Sequence, residues 1–159
     1  MPLWKTIGFL ILTVLPLLVL PMSVMLRTGS SQAQTSQERQ VEAGRLLRLG
    51  AQQHQTSQYE AALESWAQAL SFYRSLQNRQ GEAAVLNDLG IAYRSRLQYD
   101  KAIAYYQQAL PILQQVKDRD GEALALNNLG LAYGSLSQYN KAIAYLQGVE
   151  PRYDQKSAR

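Results

Sequence analysis

Few side chains in this sequence could do chemistry, and they do not fall into a catalytic pattern. His54 is the only histidine and there is no cysteine, whereas a zinc site needs several such ligands. We therefore predict no metal site, and we expect His54 to face solvent near the end of a helix. The acidic residues are scattered, and no apolar pocket is implied that would raise a carboxylate pKa, so we expect them to be solvated. They are Glu60, Glu64, Glu82, Asp88, Asp100 and the stretch from Asp118 to Asp120.

Other arrangements that carry catalysis or nucleic-acid binding are also missing. The sequence has no glycine-rich phosphate loop, and its serines have no histidine on a plausible neighbouring element to activate them. The net charge is +4, and leaving out Lys5 and Arg27 reduces it by two, to +2. Nucleic-acid binding needs a stronger basic surface than this. We therefore expect no enzyme activity, no cofactor and no nucleic-acid partner.

Residues 1–33 are expected to be a targeting segment. Lys5 precedes an uncharged, mostly apolar stretch from Thr6 to Leu26, and Ser31 and Ala33 are placed like the small residues of a signal-peptidase site. The stretch is also long enough to span a bilayer. It is therefore predicted to be a cleaved signal peptide or an N-terminal membrane anchor, with a buried core helix as the remaining alternative. Either of the first two would place the rest of the chain outside the cytoplasm, as a periplasmic, secreted or membrane-anchored protein.

After a predicted polar linker over residues 34–40, the sequence repeats with a period of forty residues. The units 41–80, 81–120 and 121–150 align without gaps, and the third unit is incomplete. Residues 151–159 are expected to form a frayed tail. The units share a leucine, a leucine–glycine pair and a glutamine–tyrosine pair at fixed positions. These are Leu46, Leu86 and Leu126, then Leu49-Gly50, Leu89-Gly90 and Leu129-Gly130, then Gln58-Tyr59, Gln98-Tyr99 and Gln138-Tyr139.

Apolar residues inside each unit recur at helical spacing. In the second unit one stripe runs from Leu86 to Tyr93 and another from Tyr99 to Leu113. A short polar turn from Arg94 to Gln98 separates the stripes, and Gly81 and Gly121 are expected to lie between units. Each unit is therefore predicted to be a helical hairpin. A single hairpin cannot cover its own apolar side, so the sequence predicts an all-α solenoid of three stacked hairpins.

Small residues at fixed positions predict where the two helices of a hairpin approach each other. A glycine inside a helix costs about 1 kcal/mol relative to alanine, so glycines recurring at one register indicate close packing. The glycines are Gly50, Gly90 and Gly130, the alanines expected at the crossing are Ala62, Ala102 and Ala142, and the larger residues expected beyond it are Trp66, Tyr106 and Leu146. Pro111 interrupts the second helix of its unit and is expected to kink or divide it.

One combination of these residues resembles a known repeat. The order Leu86, Leu89-Gly90, Tyr93, Ala102, Tyr106, Ala109 resembles the tetratricopeptide repeat, and the forty-residue spacing is similar to its longer-helix variant in kinesin light chains and the GoLoco-binding polarity adaptors. The first unit departs from the pattern at Gln53, where the other units have Tyr93 and Tyr133. The resemblance implies a right-handed superhelix with a concave, protein-binding groove.

The resemblance also implies which residues face a partner. In that family the first helix of each hairpin lines the groove. The corresponding positions are Gly44, Leu47, Ala51 and His54, then Ala84, Asn87, Ile91 and Arg94, then Leu124, Asn127, Leu131 and Gly134. Asn87 and Asn127 are expected to hydrogen-bond the backbone of an extended peptide, because an amide both donates and accepts. Arg94 is a candidate charged contact or a solvated charge, and Ile91 and Leu131 are candidate contacts or inter-repeat packing residues.

These features predict a non-catalytic module that recognises a peptide segment or partner protein through the groove. Two alternatives stay open. The repeats could be a structural scaffold of an envelope complex, with self-association through the third unit. They could also be the regulatory part of a larger or separate enzyme, since bacterial proteins that resemble this chain often pair such repeats with a peptidase-like domain.

Overall fold

The computed structural model of the chain describes the backbone of residues 22–148 and the side chains of residues 34–148. The chain divides into two compact units, Met1–Ala33 and Gln34–Arg159. Of the first unit only residues 22–33 are described, as the beginning of a helix. Most of the predicted targeting segment and the whole predicted tail, residues 151–159, therefore lie outside the described residues.

Within residues 22–148 the backbone consists of helices joined by short turns, without a strand. The helices are α1 (Met22–Gln55), α2 (Tyr59–Ser75), α3 (Arg79–Ser95), α4 (Tyr99–Val116), α5 (Arg119–Ser135) and α6 (Tyr139–Leu146). From α2 onward each helix packs on the next, and α3 also contacts α5. The predicted all-α solenoid of three hairpins is confirmed. Residues 34–40, predicted to be a polar linker, are exposed and helical within α1.

The same backbone conformation recurs in every turn between these helices. One residue of each turn has a positive φ of between 54° and 62°. These residues are Ser57, Gln77, Leu97, Lys117 and Ser137, and they are spaced by twenty positions. A non-glycine residue rarely adopts this left-handed conformation. Its repetition shows that all five connections bend the chain in the same way.

The expectation that Gly81 and Gly121 lie between units is wrong, because both belong to the first turn of a helix. The preceding turns end at Asn78 and Asp118, which cap α3 and α5. Their side-chain oxygens accept hydrogen bonds from the backbone N–H groups of Gly81 and Gly121 at 2.8 and 2.9 Å. A Cβ atom on Gly81 would overlap the ring of Tyr73. The glycine therefore allows close packing between hairpins.

Each hairpin closes where a large side chain of its second helix lies on a glycine of its first helix. The pairs are Gly50 with Trp66, Gly90 with Tyr106 and Gly130 with Leu146. A Cβ atom on any of these glycines would approach its partner side chain to less than 3.0 Å. The aligned alanines are buried, with Ala62 and Ala102 at 0% exposure and Ala142 at 6%. The crossing predicted from small residues is thus a feature of all three hairpins.

Pro111 does not divide its helix, since α4 continues through it to Val116. Proline removes one backbone hydrogen bond from a helix interior. Pro111 itself is exposed, whereas Ile112 and Leu113 directly after it are buried in the core. Burial of these two side chains holds the end of α4 in place despite the missing hydrogen bond.

Candidate functional site

The positions predicted to line a groove do not share one environment. The exposed ones are Ala84, Leu124, Asn127 and Leu131, and the partly buried ones are Gly44, Leu47, Ala51, His54, Ile91, Arg94 and Gly134. Asn87 is buried, with 7% of its surface exposed. The third hairpin covers part of α3, while no further hairpin follows α6 among the described residues. Aligned residues therefore differ in exposure between α3 and α5.

Asn87 forms a buried hydrogen bond between the second and third hairpins. Its Oδ1 accepts from Nδ2 of Asn128 at 3.1 Å. This partner is the neighbour of the aligned Asn127, and sequence reasoning missed it. The register of Asn128 holds Arg48 and Asp88 in the other units, so no common residue type marked the position. The bond uses one lone pair of Oδ1, and the Asn87 amide keeps further hydrogen-bonding capacity.

A cavity of about 250 Å³ lies between α3, the end of α4 and the start of α5. The wall of this cavity includes Ala84, Asn87, Asp88, Leu113, Asp118 and Leu124. Three of these, Ala84, Asn87 and Leu124, are predicted groove positions. The structure therefore brings residues from the first helices of two successive hairpins to one concave site.

Three acidic residues that were expected to be solvated are buried or partly buried, namely Glu82, Asp88 and Asp118. Glu82 is buried, and its carboxylate pairs with Arg74 Nε at 2.9 Å and with Arg79 Nη1 at 2.5 Å. Asp88 is partly buried and, among the described residues, forms no ion pair or hydrogen bond. Desolvation by burial raises the pKa of Asp88 to about 6. The cavity thus supplies the desolvating environment that the sequence did not reveal.

Arg94 is turned partly toward the core rather than wholly toward a groove. Its Nε and the hydroxyl of Tyr106 are both buried without a hydrogen-bond partner among the described residues. Burial raises the pKa of Tyr106 to about 12, and the positive charge of Arg94 partly opposes this rise. Only the remainder of the Arg94 guanidinium is open to a partner. Ile91 is also packed against the core, whereas Leu131 is 44% exposed.

His54 joins two hairpins and is partly buried rather than fully exposed to solvent. Its Nε2 lies 3.0 Å from Oγ of Ser95, so α1 and α3 are linked by a hydrogen bond. The imidazole also packs against two aromatic rings, with centroid distances of 5.4 Å to Tyr59 and 5.8 Å to Trp66. The expectation that no serine has a histidine on a neighbouring element is therefore wrong for Ser95. These contacts give His54 a structural role at the junction.

The tyrosines of the second and third hairpins form a repeated stack, which the first hairpin replaces with a hydrogen bond. Tyr93 stacks on Tyr105 with centroids 5.3 Å apart, and Lys101 Nζ lies 5.3 Å from the Tyr93 ring centre. The third hairpin has the same arrangement, formed by Tyr133, Tyr145 and Lys141. In the first hairpin Ser65 Oγ donates to Gln53 Oε1 at 2.7 Å. The departure at Gln53 is therefore matched by a second change at Ser65.

In the described part of the chain, no cluster of three or more histidine, aspartate or glutamate side chains is placed to hold a metal ion. None of the helices in residues 22–148 has the length and apolar content to cross a bilayer.

Comparison with known proteins agrees with this architecture. Residues 42–115 and 96–155 match a family model described as Tetratricopeptide repeat. The chain is also similar to the crystal structure of the TPR domain of Arabidopsis FLU, with a TM-score of 0.66 and 22% sequence identity, over 69% of this chain and 92% of that chain. At this identity the likeness shows the fold alone. No curated protein matches the chain.

Proposed function

Because the chain belongs to the tetratricopeptide repeat family, we propose that it is a non-catalytic module that binds a peptide segment or partner protein through the groove lined by α1, α3 and α5. The family membership that the sequence predicted is confirmed, and this fold generally mediates protein–protein interaction. The observation that supports a groove site is the cavity between α3 and α5, to which Ala84, Asn87 and Leu124 contribute.

The lining of this cavity suits an extended peptide. Ala84 and Leu124 offer apolar surface, while the amides of Asn87 and, further along α5, Asn127 can donate to and accept from a peptide backbone. Leu124 is 48% exposed, so a ligand would remove a large apolar side chain from water. Apolar walls with a few polar groups that fix orientation are typical of ligand sites in proteins.

The test is selection of peptides from a phage-displayed random nonapeptide library on the full-length chain. Selected peptides are then measured against Leu124→Ala combined with Asn127→Ala, since both residues are exposed and neither is in the core. We expect affinity to fall by about tenfold or more. The matched control is Gln108→Ala, an exposed change on α4, which should leave affinity unchanged. Peptides that bind the double variant as well as the unmodified chain would refute the groove site.

Asn87→Ala is not used in this test. It would break the buried hydrogen bond to Asn128, and leaving a buried polar group unpaired costs about 1 to 3 kcal/mol. A loss of binding in that variant would therefore not separate recognition from folding.

A second candidate function, self-assembly, is favoured by the exposed side of the third hairpin. Ile143 and Leu146 are 52% and 54% exposed, whereas the aligned Ile103 and Tyr106 in the second hairpin are 7% and 0% exposed. A scaffold role would cover these side chains with another molecule. Sedimentation velocity of the full-length chain distinguishes the two functions, because a strict monomer at all concentrations argues against assembly.

We also propose that residues 1–33 direct export or anchor the repeats outside the cytoplasm. The support is the sequence pattern of an apolar stretch followed by Ser31 and Ala33. Mass spectrometry of the N-terminus in soluble and membrane fractions is the test. A new N-terminus at Gln34 indicates cleavage, and an intact chain in the membrane fraction indicates an anchor. An intact chain in the soluble cytoplasmic fraction would reject both.

A further inference from the structure

The charged side chains that line the cavity between α3 and α5 are all acidic. They are Asp88 from α3 and Asp118, the residue that caps α5. Asp118 already uses one oxygen, because its Oδ1 accepts from the backbone N–H of Gly121. Asp88 has no such partner among the described residues. The cavity therefore presents a carboxylate that no group of the described chain compensates.

Arg94, the basic residue nearest to Asp88 in sequence, lies near the hydroxyl of Tyr106 and forms no ion pair with Asp88. Three further basic residues are paired with glutamates. Arg74 and Arg79 both pair with Glu82, and Arg119 pairs with Glu122 at 3.1 Å. The pKa of Asp88 is raised by desolvation, and no neighbouring positive charge lowers it. Burying a carboxylate without a partner is unfavourable, and a cation that enters the same site removes much of that cost.

Part of the cavity wall is apolar and suits an aliphatic chain. Leu113 is buried at the end of α4, and Leu124 and Ala84 contribute exposed apolar surface. Lysine and arginine combine an aliphatic stem with a terminal cation, so the stem can pack against apolar side chains while the charge reaches a carboxylate. A volume of about 250 Å³ has room for one such side chain.

We propose that this cavity takes a lysine or arginine side chain of the bound peptide, with the cation paired to Asp88 and the stem packed between Leu113 and Leu124. This inference rests on the proposed groove function and names the ligand chemistry of that groove. Asn87, which lines the same cavity, is placed to hydrogen-bond the peptide backbone on either side of the basic residue.

The test uses four synthetic pools of acetylated, amidated nonapeptides, in which the central residue is Lys, Arg, Leu or Glu and the other positions are equimolar mixtures of uncharged residues. Fluorescence anisotropy with the full-length chain measures the affinity of each pool. The Lys and Arg pools should bind at least about tenfold more tightly than the Leu pool, and the Glu pool should bind least.

Three variants identify the residue responsible. Asp88→Asn should reduce the preference for Lys and Arg over Leu to about twofold or less, whereas Asp88→Glu should retain most of it. Asp88→Asn is expected to fold because the third hairpin has Asn128 at the same register, and circular dichroism verifies its helicity. Asp100→Asn is the matched control, since it removes the same charge from an exposed position of α4, and its preference should equal that of the unmodified chain.

The outcomes separate this inference from the function on which it rests. If the unmodified chain binds none of the pools, groove binding of peptides fails and the inference fails with it. If the chain binds peptides but shows no preference for Lys and Arg, groove binding stands and the inference is overturned. It is also overturned if the preference survives in Asp88→Asn or disappears equally in Asp100→Asn.

Discussion

Replacing Gly90 with alanine tests the packing that closes each hairpin. A Cβ atom on Gly90 would overlap three atoms of the Tyr106 ring, Cε1, Cδ1 and Cζ. This ring is fully buried, at 0% exposure, so it can move away only by displacing other core residues. Overpacking of this kind costs about 1 to 3 kcal/mol, and alanine returns about 1 kcal/mol through its higher helix propensity. We expect a net loss of about 0 to 2 kcal/mol in the free energy of unfolding.

Gly44 provides the matched control, because it is also a helical glycine but has space around it. The nearest atom to a Cβ at Gly44 is Nη1 of Arg48 at 3.6 Å, an ordinary contact with a flexible side chain. Gly44→Ala should therefore stabilise the chain by about 0.5 to 1 kcal/mol. Urea unfolding followed by circular dichroism measures both variants, and the slopes should match that of the unmodified chain. If Gly90→Ala is as stable as Gly44→Ala, the proposed contact between Gly90 and Tyr106 is wrong.

Three further substitutions have defined expectations. Asp88→Asn should raise the free energy of unfolding by about 2 to 3 kcal/mol above about pH 6 and leave it unchanged below about pH 4. The reason is that the pKa of Asp88 is about 6 in the folded protein against an ordinary 3.8, so the unmodified protein loses stability as the pH rises between these values. A gain that does not depend on pH would contradict this. Leu97→Gly should raise the midpoint of urea unfolding by an amount equivalent to about 0.5 kcal/mol. Leu97 is 71% exposed and has a φ of 59°, a conformation that glycine adopts at lower cost. A lower midpoint would mean that the leucine side chain contributes to packing. Ala102→Leu should cost about 1 to 3 kcal/mol by overpacking the hairpin crossing, and an unchanged melting temperature would argue against that crossing.

The repeats and their helices could be predicted from sequence because the residues that specify each helix are close together in the chain and recur in three units. Leu86, Gly90 and Ala102 each recur at a fixed register, and helical spacing alone assigns Leu86 and Gly90 to one face of α3. The turns were harder to place. The left-handed position is held by Leu97 and other non-glycine residues, whereas glycine, the usual marker of a turn, is used at Gly81 to admit the ring of Tyr73.

The environment of the site could not be predicted, because it depends on contacts between hairpins. The hydrogen bond between Asn87 and Asn128 joins residues forty-one positions apart, and neither residue has a sequence pattern that identifies the other. Asp88 has the same residue type as the exposed Asp100, yet only Asp88 borders the cavity that α5 completes. The identity of a charged residue gives its chemistry, while the neighbouring repeat decides its solvation and pKa.

The left-handed residue at every twentieth position means that the backbone has half the period of the sequence. Because Leu97 and Ser137 have the same φ of 59°, the chain leaves one helix and enters the next through equivalent joints. A cassette made of a second copy of residues 98–137, inserted after Ser137, would begin and end at equivalent turns. The array should therefore lengthen in steps of one hairpin without redesign of any connection, and each inserted cassette would carry its own groove-lining helix.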